Sequence, residues 1–201
     1  HKPNLDAVLT LKNEVWSKIR KVLPKAEVHV YGAYANQQIN QLHNQKEGFI
    51  IKGFAENAEE VVLKARVVLA PINFGAGIKG KLTEAMICGT PSVTTSIGVE
   101  GMSEDLYWNG FVEDDFKEFS KKAVILYLEK NTWKMAQNNG INIINNVYNK
   151  EKFGTPFINK IVEIQQNLET HRTQNFLGSL LQHQTLQASK YMSKWIEAKN
   201  A

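Results

Sequence analysis

Apolar residues recur along this chain in two rhythms, one helical and one extended. Leu5, Val8, Leu9, Val15, Trp16, Ile19 and Val22 repeat near helical spacing, which predicts a helix capped by Asn4 and ended by Pro24. Glu27 to Tyr31 alternates as a strand does, and Gly32 closes it. Residues 33–44 are polar, with Ile39 and Leu42 as a thin helical stripe. Phe49, Ile50 and Ile51 predict a short strand closed by Gly53, and Asn57 caps a helix over 58–64. Glu59 and Glu60 stand in its first turn, where the helix dipole favours anions. The run Val67-Val68-Leu69-Ala70 is continuously apolar, as suits a strand buried on both faces of a parallel sheet, and Pro71 ends it. Leu82, Ala85, Met86 and Ile87 then mark a helix stopped by Gly89, and Ser92 to Thr95 a second buried strand.

This alternation of strand and helix predicts an α/β class, a Rossmann-like doubly wound parallel sheet flanked by helices. After Gly101 the signals thin. Gly110-Phe111-Val112 reads as a last short strand, Asp114 as the cap of a helix over 116–129, and 132–147 as a further helix. Two helical stretches follow, 155–171 and 175–199. The second carries Phe176, Leu177, Leu180, Leu181, Met192, Trp195 and Ile196 as an apolar stripe with lysines opposite. The domain reading is 1–150 as the Rossmann-like domain and 151–201 as a helical extension. Three fates for the extension's stripe stay open: packing on a domain, self-association, or contact with a membrane surface.

Charge and composition narrow this picture a little. With 201 residues and 43% hydrophobic content, the chain can bury one good core. A net charge of +4 suits an anionic ligand without pointing to nucleic acid. Cys88 is the single cysteine and falls in the apolar frame of the 82–87 helix, which reads as a core residue. It allows no internal disulfide, in keeping with a reducing cytoplasm. The histidines His1, His29, His43, His171 and His183 are scattered. Asp105, Glu113, Asp114 and Asp115 read as loop and cap chemistry rather than a metal site. No run is apolar enough to span a bilayer.

The candidate chemistry lies between the 67–70 strand and the next helix, where Gly75, Ala76, Gly77, Ile78, Lys79, Lys81, Thr83 and Glu84 follow one another within ten positions. A helix start has amide N–H groups without internal partners and carries partial positive charge. Glycines let backbone approach a phosphate, lysines add full charges, and Glu84 stands about a turn further in, within reach of a ribose. The physical reading is a cradle for a nucleoside diphosphate; the alternative is a tight turn with solvated lysines. Gly32 and Gly53 end strands on the side where such sheets bind ligands, and both also read as simple turns. The letters G-A-G-I-K-G match the dinucleotide fingerprint as well, with Glu100 about twenty residues on. Strands already precede it, Pro71-Ile72-Asn73-Phe74 intervenes, and the next strand ends in Thr94-Thr95-Ser96 without an acidic residue.

The stretch PINFGAGIKGKLTEAMICGTPSVTTSIGVEG resembles the donor-binding signature of the GT-B-fold glycosyltransferases known as group 1 or family 4 retaining enzymes. The resemblance implies that Gly77, Ile78 and Lys79 line the phosphates of a nucleotide-sugar, that Lys81 offsets their charge, that Glu84 takes the ribose, and that the base lies near Gly53 and Phe54. Where the family usually carries a second glutamate upstream of Glu84, this chain has Ala76. The resemblance further implies one half of an enzyme: a C-terminal donor domain whose first strand and acceptor-binding N-terminal domain stand ahead of this sequence. The final helices would cross to that domain. The donor would be a UDP-, GDP- or dTDP-sugar, with no prosthetic group and no metal, and the fragment alone would be inactive. The acceptor would be a glycan or lipid-linked acceptor in bacterial polysaccharide assembly, and the place of action the cytoplasm, with the inner face of the membrane as an open alternative. Two readings from other classes remain beside this one: a non-catalytic phosphate-binding module and a dinucleotide-dependent oxidoreductase.

Overall fold

The structure, a computed structural model, describes residues 2–182 and 185–200. His1, His183 and the part of the expected 175–199 helix at 183–184 lie outside them. The chain divides into two compact units between Asn149 and Lys150.

In the first unit, α1 (Lys2–Thr10) continues through a π-helical segment (Leu11–Trp16) into α2 (Ser17–Val22). Leu11, Val15, Trp16 and Ile19 are its buried stripe. This helix is already under way at Lys2. Asn4 therefore lies inside it instead of capping it, and its Oδ1 accepts a hydrogen bond from Lys81 Nζ at 2.8 Å. There follow β1 (Val28–Tyr31), the single turn α3 (Gln37–Asn40), β2 (Phe49–Gly53), α4 (Ala58–Lys64), β3 (Val68–Ala70), α5 (Gly80–Ile87), β4 (Ser92–Thr94), α6 (Ser96–Val99), β5 (Gly110–Val112), α7 (Phe116–Leu128) and α8 (Lys130–Val147). Asn57 caps α4 as expected, its Oδ1 accepting from Glu60 N at 3.2 Å. The cap of α7 differs. Asp115 Oδ1 accepts from Lys117 N and Glu118 N at 3.0 and 2.9 Å. Asp114 turns instead to Ser96, accepting from its N and Oγ. The residue at the start of a helix caps only if its backbone is extended, and that residue is Asp115.

The expected α/β class holds: every strand pair is parallel and helices connect the strands. The ladder is in two pieces, β1 beside β2 and β3-β4-β5. This split corrects the burial expected for the apolar run at 67–70. Only Ala70 is buried there, because β3 has a neighbour on one side alone, whereas β4 has neighbours on both sides and is buried throughout. One core cluster joins the two pieces, with Phe49 and Val93 against Val15, Trp16 and Phe119. A second, with Ile72, Leu82, Met86 and Ile143, lies beneath the loop after β3.

The second unit is helical: α9 (Lys150–Gln166), α10 (Leu168–Gln174), α11 (Phe176–Gln182) and α12 (Thr185–Asn200). The expected 155–171 helix thus starts earlier and breaks at Asn167. Phe157, Leu177, Leu181 and Trp195 are exposed. Among the described residues no helix is long and apolar enough to cross a membrane.

Candidate functional site

Two hydroxyls from the end of β4 fix the start of the loop. Thr94 Oγ1 donates to Ala70 O at 2.7 Å and Thr95 Oγ1 to Ile72 O at 2.5 Å. Beyond Ile72 the chain turns through Gly75 at φ +141° and Gly77 at φ +78°, conformations in which a Cβ would strain the backbone. Ile78 is exposed, and Lys79, in extended conformation, precedes α5 with no side-chain cap. The first internal bonds of the helix run from Leu82 N and Thr83 N to Lys79 O. The amides of Gly80 and Lys81 come before them and have no helical carbonyl to meet. Leu82, Ala85 and Met86 anchor α5 in the core, and Gly89 at φ +67° ends it. A rigid strand, a hydroxyl-held turn and a buried helix stripe therefore hold the loop in place.

Three charged side chains surround the start of this helix. Lys79 is only 9% exposed, and its Nζ is buried without a hydrogen-bond partner. Thr83 Oγ1, one turn on, is also buried and unpartnered. Lys79 stands just before the helix and Thr83 in its first turn. Buried polar atoms in native folds mostly have partners; among the described residues Lys79 Nζ and Thr83 Oγ1 lack one, as do Ser92 Oγ, Trp108 Nε1 and Asn109 Oδ1 elsewhere. Lys81 goes elsewhere, across to Asn4 on α1. Desolvation draws its ammonium below the ordinary lysine range. Glu84 is half-buried on the second turn. One lysine is thus buried without a partner and the other is tethered to another helix.

That second helix forms the far wall, which the sequence reading missed. Pro3 lies against Gly75, where an added Cβ would meet it at 3.7 Å. Asn73 Nδ2 donates to Asp6 Oδ2 at 2.8 Å and to Thr10 Oγ1 at 3.0 Å. Pro3, Asp6 and Thr10 are spaced three and four apart, on one face of α1. A polar stripe beside the apolar one was the available signal, and it reads equally as a solvated face.

Gly32 and Gly53 come together at the ends of β1 and β2, where Gly32 N donates to Gly53 O at 2.7 Å. Gly53 has φ +74°, and Phe54 beside it is 69% exposed. Cys88, placed in the core by its apolar frame, is only half-buried, since it lies at the end of α5 beyond the anchored stripe. Burial, then the Glu59 and Glu84 carboxylates, push its thiol up. Among the described residues no His, Cys, Asp and Glu group is placed to hold a metal ion.

The family model described as "Glycosyl transferases group 1" matches residues 1–129. No curated protein sequence matches the chain significantly. Among solved structures, a mutant of TarM from S. aureus in complex with fondaparinux, alpha-GlcNAc-glycerol and UDP is similar, with TM-score 0.65 and 18% identity over 79% of this chain and 33% of that one. The pneumococcal O-GlcNAc transferase GtfA in complex with UDP and GlcNAc is similar too, with TM-score 0.63 and 19% identity over 81% of this chain and 34% of that one. The chain spans about a third of the length of each.

Proposed function

The chain belongs to the group 1 glycosyltransferase family, and from that premise we propose that its first unit holds the nucleotide-sugar donor of a glycosyl transfer. The observation that carries this is the buried ammonium of Lys79, unpartnered just ahead of α5, with the hydroxyl of Thr83 in its first turn also unpartnered. A diphosphate there would give both groups a partner and meet the free amides of Gly80 and Lys81. Negative charge grows on the leaving phosphate as the glycosidic bond breaks. Cations and amides already fixed at that position stabilise the transition state more than the ground state. In this reading Lys79 and the Gly77-Ile78 backbone face the phosphates and Thr83 donates its hydroxyl to them. Lys81, held by Asn4, adds charge with its remaining donors. Glu84 takes the ribose, and Gly32, Gly53 and Phe54 lie toward the base. Gly75 and Ala76 shape the loop.

UDP is the probe of choice because both solved relatives were captured with it. The acceptor would be a glycan held by an N-terminal domain outside this sequence, and the transfer would be retaining and metal-independent. Membership of the family leaves the dinucleotide fingerprint as a coincidence of letters. The test is isothermal titration of the chain with UDP, with and without EDTA, against Lys79→Met and Glu84→Ala. Binding that survives chelation, and falls by about 1–3 kcal/mol in each variant, is the expected result. Folded variants that bind UDP as well as the parent would refute the assignment, and loss of binding with EDTA would refute metal independence.

A further inference from the structure

Two helices of the first unit carry an uneven share of its charge. α2 has three basic residues and no acidic one, and α7 has three basic residues and one acidic. The whole chain is nearly balanced, with 24 basic residues against 20 acidic. α2 and α7 pack together, with Ile19 and Phe119 buried in the core beneath them. Between the two helices lies an open trough of about 520 Å³. Val22 of α2 and Val124 and Ile125 of α7 give it an apolar floor. Ser120 lies in that floor as well, but its Oγ donates inward to Phe116 O at 2.7 Å. The floor therefore recognises by apolar contact alone. Lys18 and Lys21 line one side and Lys117 and Lys121 the other. Spacings of three and four keep each pair on one helix face, so each side carries a row of two ammonium groups.

Little in the chain answers this charge. No carboxylate lines the trough. Glu118 meets Lys121 at 2.6 Å, an exposed pair on one helix and hence a weak one. Lys18 donates to the backbone carbonyl of Glu14, which leaves its charge in place. Among the described residues no carboxylate pairs with Lys18, Lys21 or Lys117. A second hollow, of about 270 Å³, shares Lys21 but contains Glu47, which pairs with Lys12 at 2.5 Å. There the chain supplies its own counter-charge, and between α2 and α7 it does not. Lys21, Lys117 and Lys121 are exposed while Val124 and Ile125 are half-buried, so cations rim an apolar floor. A bilayer surface asks for the reverse relief, with apolar side chains foremost and lysines snorkelling behind them. A lipid with one anionic head would engage one end of the trough only. A helix whose apolar stripe is flanked by carboxylates on both sides meets the floor and both rims at once. From Lys117 to Ile125 the trough runs about 12 Å, roughly two turns of such a helix.

We propose that the trough between α2 and α7 docks an acidic amphipathic helix of another protein, with its apolar stripe on Val22, Val124 and Ile125 and its carboxylates on the two lysine rows. The inference stands apart from nucleotide binding. Its test is fluorescence anisotropy of the whole chain with a stapled helical peptide of about fourteen residues, leucines along one face and glutamates on both flanks. The same peptide with glutamine for every glutamate, and vesicles of phosphatidylcholine with phosphatidylglycerol, are the comparisons. The acidic peptide should bind at least about tenfold more tightly than the glutamine peptide and lose that margin near about 1 M salt. Lys21→Glu combined with Lys117→Glu should weaken the acidic peptide at least about tenfold and leave UDP titration unchanged. Both side chains are exposed, so reversing them spares the core. Amide NMR shifts in the parent chain give a second readout, and the acidic peptide should move those of α2 and α7. Equal binding of the two peptides, undiminished binding to the doubly reversed variant, or shifts centred elsewhere would overturn the proposal. Vesicles that bind through the two lysines while the acidic peptide does not would overturn it in favour of a membrane surface.

Discussion

The two units of this chain use apolar residues in opposite ways. In the first, Val15, Phe49, Leu82, Val93 and Phe119 are fully buried. In the second, residues of the same kind stay open to solvent, with Phe157 65% and Trp195 61% exposed. Both carry helical periodicity, and both are helical where the periodicity says so. The difference teaches that an amphipathic pattern is enough to write a helix, aided by local pairs such as Lys160–Glu163 at 2.9 Å. Burial needs a partner surface, which strands and crossing helices supply in the first unit.

Truncation is the strongest way to break that comparison. Phe119→Ala should cost about 3–5 kcal/mol in urea unfolding, through lost burial and the cavity left behind. Phe157→Ala should stay within about 0.5 kcal/mol; similar costs at both positions would erase the contrast. Glycines sharpen it next. A Cβ at Gly110 would sit 2.0 Å from Ser92 O, at φ +135°, so Gly110→Ala should cost about 2 kcal/mol or more. Gly154, inside α9, would meet nothing nearer than 3.9 Å, and Gly154→Ala should stabilise by about 0.5–1 kcal/mol.

Lys79 separates function from stability within the first unit. A buried ammonium without a partner opposes folding, so Lys79→Met should raise the stability of the ligand-free chain by about 1 kcal/mol while it weakens UDP binding. A variant that binds less but gains no stability would show the ammonium to be satisfied already. Asp115→Ala should cost about 1 kcal/mol by removing the α7 cap, and Asp114→Ala less; the reverse order, read by thermal melts, would return the cap to Asp114. The smallest effect concerns Cys88. Its raised pKa keeps the thiol protonated, so iodoacetamide should react more slowly than with a free cysteine at pH 8 and gain rate only at higher pH. Because the folded state holds this proton more tightly, the thiol's contribution to stability is present below the ordinary thiol pKa and is lost as pH rises through the folded one.

The readable parts of the molecule were those decided by near neighbours. Asn57 before Ala58, the glycines around Ile78 and the stop at Gly89 each act within a turn of their own position. The loop and helix of the site were legible for that reason. Choosing Asp114 over Asp115 failed because the two are alike in sequence, and only the backbone conformation selects the cap. Asn4 was read as a cap and Asp6 and Thr10 not singled out, because their partners Lys81 and Asn73 lie more than sixty positions away.

Sequence alone determined the order of strands and helices, the glycine turn ahead of α5 and the charge gathered around it, since propensity, capping and positive φ are local properties. Tertiary structure decided the rest: Lys79 buried while Lys81 reaches for α1, a strand ladder divided into β1-β2 and β3-β4-β5, and one apolar stripe buried while another stays exposed. Burial and pairing depend on what distant segments bring alongside, and no window of neighbouring residues contains that information.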